Sequence, residues 1–281
     1  HTLGRNTILV CESAAKHYFG HARIITSADM HGLPGNVPCI YGVRGEDITD
    51  LHDGDVILME PTGDIQQLWS AGSAHNSIMV TNTCNCNCIM CPQPSCKDAE
   101  DQLQFNMRIL RLAGNKNIAE IGITGGEPTL RPDSLCALLS LCKNRFSKST
   151  VALLTNGRAY QDFELVKRIA LIRHPALTHC VSLHSDIDTI HDNIVGAPGS
   201  FYNTVNGLHN LARLRQRVEI RIVVMRDNYQ RLPELSEFIY RNFPYALHIA
   251  FMGLESTGLA SQHIDKVWID PLDYAIQLSQ A

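Results

Sequence analysis

The chain has no apolar run that reaches the roughly 18 residues needed to cross a bilayer, and its start shows no charged-then-apolar leader with a cleavage site. Neither a membrane anchor nor a secretory route is expected. A surplus of positive charge is also missing. The 24 Lys and Arg face 28 Asp and Glu for a formal net charge of -4, so no basic patch is offered to nucleic acid. No acid–base dyad stands out either. The first residue is His1 rather than methionine, from which a trimmed start is expected. Cysteine, by contrast, is abundant: 10 in 281 residues. That density would mean disulfides in a small secreted domain, but this chain is larger and shows no leader, so a reducing cytoplasm is the expected setting.

Three of the cysteines, Cys84, Cys88 and Cys91, lie in T-C-N-C-N-C-I-M-C-P-Q-P, spaced C-x3-C-x2-C after an apolar segment. Thiolates are soft donors suited to iron–sulfur clusters, and a cubane has four irons, so three thiolates leave one iron open to a small molecule. A structural zinc site is the alternative that the residues leave open. Cys88 and Cys91 form one C-x2-C knuckle, which Cys86 and Cys96 could complete, although zinc sites commonly pair two knuckles about 15–20 residues apart. Cys86 reads as a bystander thiol. Cys11, Cys39, Cys136, Cys142 and Cys180 are scattered and read as small buried hydrophobes.

Two regions separate along the chain. Residues 1–76 carry short β-type runs, T-I-L-V-C, A-R-I-I-T, C-I-Y-G-V and D-V-I-L-M-E, with H-D-G-D and P-T-G-D as turns. A small β-rich N-terminal domain is expected there. From residue 77 to 281 the rhythm is strand then helix. The strands are S-I-M-V-T-N, A-E-I-G-I-T, T-V-A-L-L-T, T-H-C-V-S-L-H, V-E-I-R-I-V-V-M and A-L-H-I-A-F-M, and the helices fall near 101–114, 133–144, 161–170, 201–214 and 231–241. Such alternation predicts an α/β fold of parallel βα units. In the helix near 201–214, Phe201, Val205, Leu208, Leu211 and Ala212 share one face, and Ser200 precedes it as an expected N-cap.

Parallel βα units gather functional groups at the carboxyl ends of their strands. The cysteine loop follows the first strand, Gly125-Gly126-Glu127 the second, Thr155-Asn156-Gly157 the third and Ser182-Leu183-His184-Ser185 the fourth. Polar and glycine residues would ring one mouth. Gly125 and Gly126 lack side chains, so backbone there can come close to a ligand; the alternative is an ordinary strand-end turn.

The cysteine spacing together with Gly125-Gly126-Glu127-Pro128, one strand–helix unit downstream, resembles the radical S-adenosylmethionine (SAM) superfamily. That resemblance implies a partial (β/α)6 barrel of TIM type behind the small β-rich domain. It implies a [4Fe-4S] cluster on Cys84, Cys88 and Cys91, with SAM bound at the fourth iron. One-electron cleavage of SAM would yield a 5′-deoxyadenosyl radical that takes a hydrogen atom from the substrate. By the same resemblance Gly125, Gly126 and Glu127 hold the methionine end of SAM, and Met90 packs on the adenine. Thr155, Asn156 and Ser182 contact ribose and carboxylate, and His184 stands where relatives often carry an acid. Arg221 reaches the SAM carboxylate or lines the barrel as a paired charge. Relatives commonly carry a basic residue in the stretch that here reads Val195-Gly196-Ala197-Pro198-Gly199.

Further blocks, L-L-T-N-G-R-A, H-D-N-I-V-G-A-P-G-S-F, H-I-A-F-M-G-L-E-S-T-G and W-I-D-P-L-D-Y, are similar to the C-type radical SAM maturases of His-Xaa-Ser peptide-modification systems. This implies a ribosomally made precursor peptide as substrate, an electron donor such as flavodoxin or ferredoxin, and a partner radical SAM maturase, with neither nucleic acid nor membrane involved. Such maturases usually continue past W-I-D-P into a cysteine-containing tail, whereas this sequence stops at Ala281; truncation is an expectation, and an auxiliary cluster is not supported. The runner-up is a radical SAM enzyme acting on a nucleotide-like or other small metabolite, and from another class a non-catalytic metal-binding scaffold.

Overall fold

The computed structural model of the protein describes residues 8–11, 18–21, 23–25, 39–41, 51–52, 54–59, 65–96, 101–114 and 118–281. The P-T-G-D turn, Asp53 within H-D-G-D and the side chains of Cys11 and Cys39 lie outside this description. Two compact units form, one from His1–Ser77 with Gln104–Ile121 and the other from Ile78–Leu103 with Gly122–Ala281.

The first unit holds β1 (Ile8–Cys11), β2 (Tyr18–His21), β3 (Arg23–Ile25), β4 (Cys39–Tyr41), β5 (Val56–Met59) and β6 (Ile65–Trp69). Four of them make a mixed sheet in the order β2-β1-β5-β6, parallel between β1 and β5 and antiparallel at both flanks, while β3 and β4 pair separately. The four expected runs are strands; β2 and β6 are additional. Asp55, 0% exposed, accepts hydrogen bonds from the His52 N–H at 2.8 Å, the Gln67 amide at 2.7 Å and the Ala71 N–H at 2.7 Å. A buried carboxylate persists only when bonded in this way.

A six-stranded parallel sheet follows: β7 (His75–Met79), β8 (Glu120–Thr124), β9 (Thr150–Thr155), β10 (Leu177–Ser182), β11 (Arg217–Val223) and β12 (His248–Met252), each beside its neighbour in sequence. That sequential order is the wall of a barrel, whereas a doubly wound sheet would reverse its order at a switch point. Helices α1 (Leu103–Leu112), α2 (Pro132–Arg145), α3 (Phe163–Ile172), α4 (Asp188–Val195), α5 (Ser200–Arg213) and α6 (Leu232–Asn242) are the intervening connections. Side chains alternate across each strand. Ile121, Ile123, Val151, Leu153, Ile220 and Ile222 are all 0% exposed, and burial of each contributes about 1.5–3 kcal/mol. The intervening positions face the barrel interior.

Two local expectations change. Helix α4, not foreseen, occupies what reads as the loop ahead of α5. Ser200 is already the first residue of α5 and its hydroxyl, buried, makes no hydrogen bond among the described residues; Gly199 stands at the N-cap with φ 75°. The free N–H groups go instead to Asp192 of α4, whose carboxylate accepts from Gly199 at 2.6 Å and Phe201 at 2.8 Å. An anion there is favoured by the helix dipole. On α5, Phe201, Leu208 and Leu211 are buried, joined by Thr204 and Gly207, while Val205 and Ala212 sit half-buried at the edge of the stripe. Asp192→Ala should therefore lower unfolding stability in urea by about 0.5–2 kcal/mol, the usual range for a lost cap, and Ser200→Ala should cost less. The reverse ranking would return the cap to Ser200.

Candidate functional site

Where the strands of the barrel end at their carboxyl termini, a cavity of about 270 Å³ opens. Cys84, Cys88 and Cys91 line it, all carried by the loop that follows β7. Gly125, Gly126 and Glu127 enter from the end of β8, Thr155 and Asn156 from β9, and Ser182 from β10. The residues singled out at four successive strand ends thus share one space. Cys86 lines it too, while Cys96 is exposed.

The cysteine loop contains no helix or strand of its own, so its shape is imposed by backbone bonds to three other segments. The Gly126 N–H donates to Thr81 O at 2.6 Å and the Glu127 N–H to Thr83 O at 2.8 Å. From the loop, the N–H groups of Asn87 and Ile89 donate to Val195 O at 2.9 Å and Ile194 O at 3.0 Å, at the end of α4. The Leu259 N–H, in helix α7 (Gly258–Gln262), donates to Cys91 O at 2.8 Å. Two glycines make these approaches possible. A Cβ on Gly126 would lie 2.3 Å from Thr83 O, and one on Gly258, where φ is +55°, would lie 2.4 Å from Cys91 O. No side chain fits at such distances.

Glu127 is 1% exposed. One carboxylate oxygen accepts from the Thr129 N–H at 3.0 Å, the Thr129 hydroxyl at 2.6 Å and the Thr155 hydroxyl at 2.8 Å. The other accepts from the Asn156 N–H at 2.7 Å. Burial raises its carboxyl above the usual range against the pull of those bonds. Its carboxylate therefore ties the end of β8 to the end of β9, setting Gly126 and Asn156 beside each other.

Met90, His184 and Arg221 are not among the residues that line the cavity. Met90, 8% exposed, packs with Ile194, Val195, Met225 and Val267. Its apolar side chain is consumed by the core beneath the loop. His184, 1% exposed, stacks on His191 with ring centroids 5.8 Å apart, and its Nδ1 accepts from the Val223 N–H at 3.4 Å. Arg221 donates from Nε to Glu219 at 2.5 Å, and His248 Nε2 lies 2.8 Å from the same carboxylate. It is the paired-charge alternative that the geometry displays. Sequence reading missed Arg158, whose guanidinium reaches the cysteine loop, and Leu259, which lines the cavity from beyond the last strand. Arg158 follows directly on Thr155-Asn156-Gly157, a signal that was available.

Three thiols on one loop are a donor set that fits an iron–sulfur cluster. Sulfurs on a single tetrahedral zinc, at Zn–S distances of about 2.3 Å, stand within roughly 3.8 Å of one another. Among the described residues no group of three His, Cys, Asp or Glu side chains forms a single-ion site. Cys84 is raised above the ordinary thiol range by the neighbouring Cys86 side chain and by burial, and burial pushes Cys91 up as well. Thiols so placed become thiolates when a metal displaces their protons.

A sequential parallel barrel wall with thiols and glycine turns at its mouth defines an α/β enzyme-type scaffold built to hold a cluster and a small ligand. Residues 78–239, more than half of the chain, match the Radical SAM superfamily, and the chain belongs to that superfamily, whose members use a [4Fe-4S] cluster and SAM. Among curated proteins, the GTP 3',8-cyclase of Vibrio parahaemolyticus is 27% identical over 190 residues, which is 64% of this chain and 54% of that enzyme. The GTP 3',8-cyclase of Yersinia pestis is 26% identical over 189 residues, 64% and 55% respectively. The chain spans about half the length of the curated relatives it matches. Among solved structures, Streptococcus suis SuiB is similar with a TM-score of 0.58 at 19% identity, covering 73% of this chain and 45% of that one. The structure of anSMEcpe with bound AdoMet and Cp18Cys peptide has a TM-score of 0.50 at 16% identity, covering 64% and 50%. Both share the fold. Among the described residues no helix is long and apolar enough to cross a membrane.

Two measurements test this geometry. Gly258→Ala should leave the purified protein with roughly half or less of its iron, because left-handed backbone strain adds to a clash with two carbonyls; Gly253→Ala, where a Cβ meets nothing within 4 Å, should retain it. Equal iron in both would detach α7 from the site. Burial lowers His184 to about 3 and His191 to about 4, whereas each would titrate near about 6.5 unfolded. The unfolded chain binds more protons between those values, so stability should fall as pH drops from about 6.5 toward 4. His184→Asn should flatten that slope in urea titrations, and an unchanged slope would place the histidine in water.

Proposed function

We propose that this chain is a radical SAM enzyme that carries a [4Fe-4S] cluster on Cys84, Cys88 and Cys91, cleaves SAM reductively and modifies a ribosomally made peptide. One observation carries the catalytic part: the three thiols share a single cavity with Gly125, Gly126, Thr155, Asn156 and Ser182, drawn from four consecutive strand ends. When bound, the cluster and SAM would supply one-electron chemistry, reductive cleavage of SAM followed by hydrogen abstraction from the substrate. The backbone of Gly125 and Gly126, which lines the cavity, would take the amino-acid end of SAM. Glu127 acts as the strut that orients those glycines and Asn156. The Thr155 and Ser182 hydroxyls and the Asn156 amide offer neutral hydrogen bonds to a sugar or a carboxylate. Leu154, Pro92 and Leu259 form apolar wall, which limits stray water near a reactive centre.

The peptide reading is supported by the sequence blocks near the C-terminus and by charge. Among the described residues no Lys or Arg lines the cavity, whereas a polyphosphate is normally met by cationic side chains. A fold of this kind admits a peptide in the anSMEcpe structure. A nucleotide substrate is the second reading, favoured by the curated relatives, which are GTP 3',8-cyclases. An electron donor such as flavodoxin or ferredoxin, a partner radical SAM maturase and a cytoplasmic setting complete the proposal.

Anaerobic reconstitution with iron and sulfide, then SAM under strong reductant, should give 5′-deoxyadenosine. Alanine at Cys84, Cys88 or Cys91 should abolish it, while Cys86→Ala should retain a cluster. An intact cluster without SAM cleavage would mark a scaffold, and equal damage at Cys86 would overturn the ligand assignment. Product formation stimulated by GTP and not by candidate peptides would select the second reading.

A further inference from the structure

We propose that Arg158 sets the electron affinity of the bound cluster, by holding a fixed positive charge against the loop between the cluster's first two thiolate ligands. The inference rests on the cluster assignment above and deepens it. Arg158 opens the short 3-10 turn Arg158–Gln161 behind β9, and its backbone N–H is fixed by the Asn156 side-chain oxygen at 3.0 Å. From there its Nη1 donates to Asn85 O at 2.6 Å and lies 3.7 Å from Cys86 Sγ. Asn85 and Cys86 are chain neighbours of Cys84, and the Cys86 N–H points at Cys84 Sγ, 3.4 Å away. The charge is thus coupled to a ligand sulfur through one residue.

The guanidinium is only partly solvated, its Nη1 contact with Asn85 O being exposed. Its Nε is buried and makes no hydrogen bond among the described residues, so the fold bears a desolvation cost to keep it at the loop. Its partners, the Asn85 carbonyl and the Cys86 thiol, carry no formal charge, which leaves the cation open to an anion. Among the described residues the cavity lining itself holds no cation, while Glu127 and the three thiols contribute only negative charge once ionised. A thiolate-bound cluster is such an anion. Reduction adds a further negative charge to it, so a nearby fixed cation stabilises the reduced form more than the oxidised one. Arg158 would thereby make the cluster easier to reduce. Asn156, which donates to Asn85 Oδ1 at 2.8 Å and to Cys86 Sγ at 3.4 Å, clasps the same two residues without charge, so charge and clasping can be separated.

The test compares reconstituted wild type, Arg158→Lys, Arg158→Gln and Arg158→Met, each assayed first for iron and sulfide and then titrated with dithionite under electron paramagnetic resonance. The midpoint potential should shift to more negative values in both neutral variants and stay near wild type in Arg158→Lys. Identical midpoints in all four proteins overturn the proposal. So does a shift in Arg158→Lys as large as in Arg158→Gln, which would trace the effect to hydrogen-bond geometry. Loss of iron from both neutral variants would assign Arg158 to loop assembly and overturn it too. Failure of wild type itself to take up iron and sulfide would instead defeat the underlying cluster assignment.

Discussion

Three thiols sit on one loop without regular structure, and that loop takes its shape on borrowed rigidity. The end of β8, the last turn of α4 and the start of α7 each supply backbone bonds to the cysteine loop. Backbone hydrogen bonds are short and directional, so they define the loop more tightly than side-chain packing would. Segments far apart in sequence, near residues 126, 195 and 259, therefore converge on one short stretch. The barrel is the device that brings them there, since parallel βα units present every connection of this kind at the same end.

Charge is the second organising principle. The cavity wall offers hydroxyls, amides, glycines and thiols, with one buried carboxylate already engaged by Thr129, Thr155 and Asn156. Arginines lie close by, yet outside the wall, each with an assigned partner: Arg158 on Asn85, Arg221 on Glu219, and Arg231 on Asp186 through two bonds of 2.9 and 2.6 Å. Such a wall suits a zwitterionic cofactor. Where polyphosphate is bound, arginine and lysine are normally turned inward.

The strand–helix rhythm was legible because β9, β10 and β11 carry β-branched and leucine residues at alternate positions, and because α5 carries a clear apolar stripe. Helix α4 was not legible. Its eight residues include only a few apolar side chains, and its role comes from tertiary bonds to the loop and from Asp192 capping the next helix. Cysteines and strand-end residues could be grouped from spacing alone, since a parallel barrel forces strand ends together. Met90, His184 and Arg221 could not be resolved in this way. Whether a side chain next to a motif turns to the cavity, to the core or to a neighbouring charge is decided by packing, and spacing does not encode it. The same holds for Arg158, whose reach across to Asn85 depends on the turn that follows Gly157.

The central claim is that three thiolates leave one iron of the cluster free to receive SAM. Mössbauer spectroscopy of the reconstituted protein, recorded with and without SAM, addresses it most directly. The account predicts that SAM makes one iron site distinct from the others while the rest of the spectrum is retained. A spectrum indifferent to saturating SAM, from protein with a full complement of iron and sulfide, would contradict it.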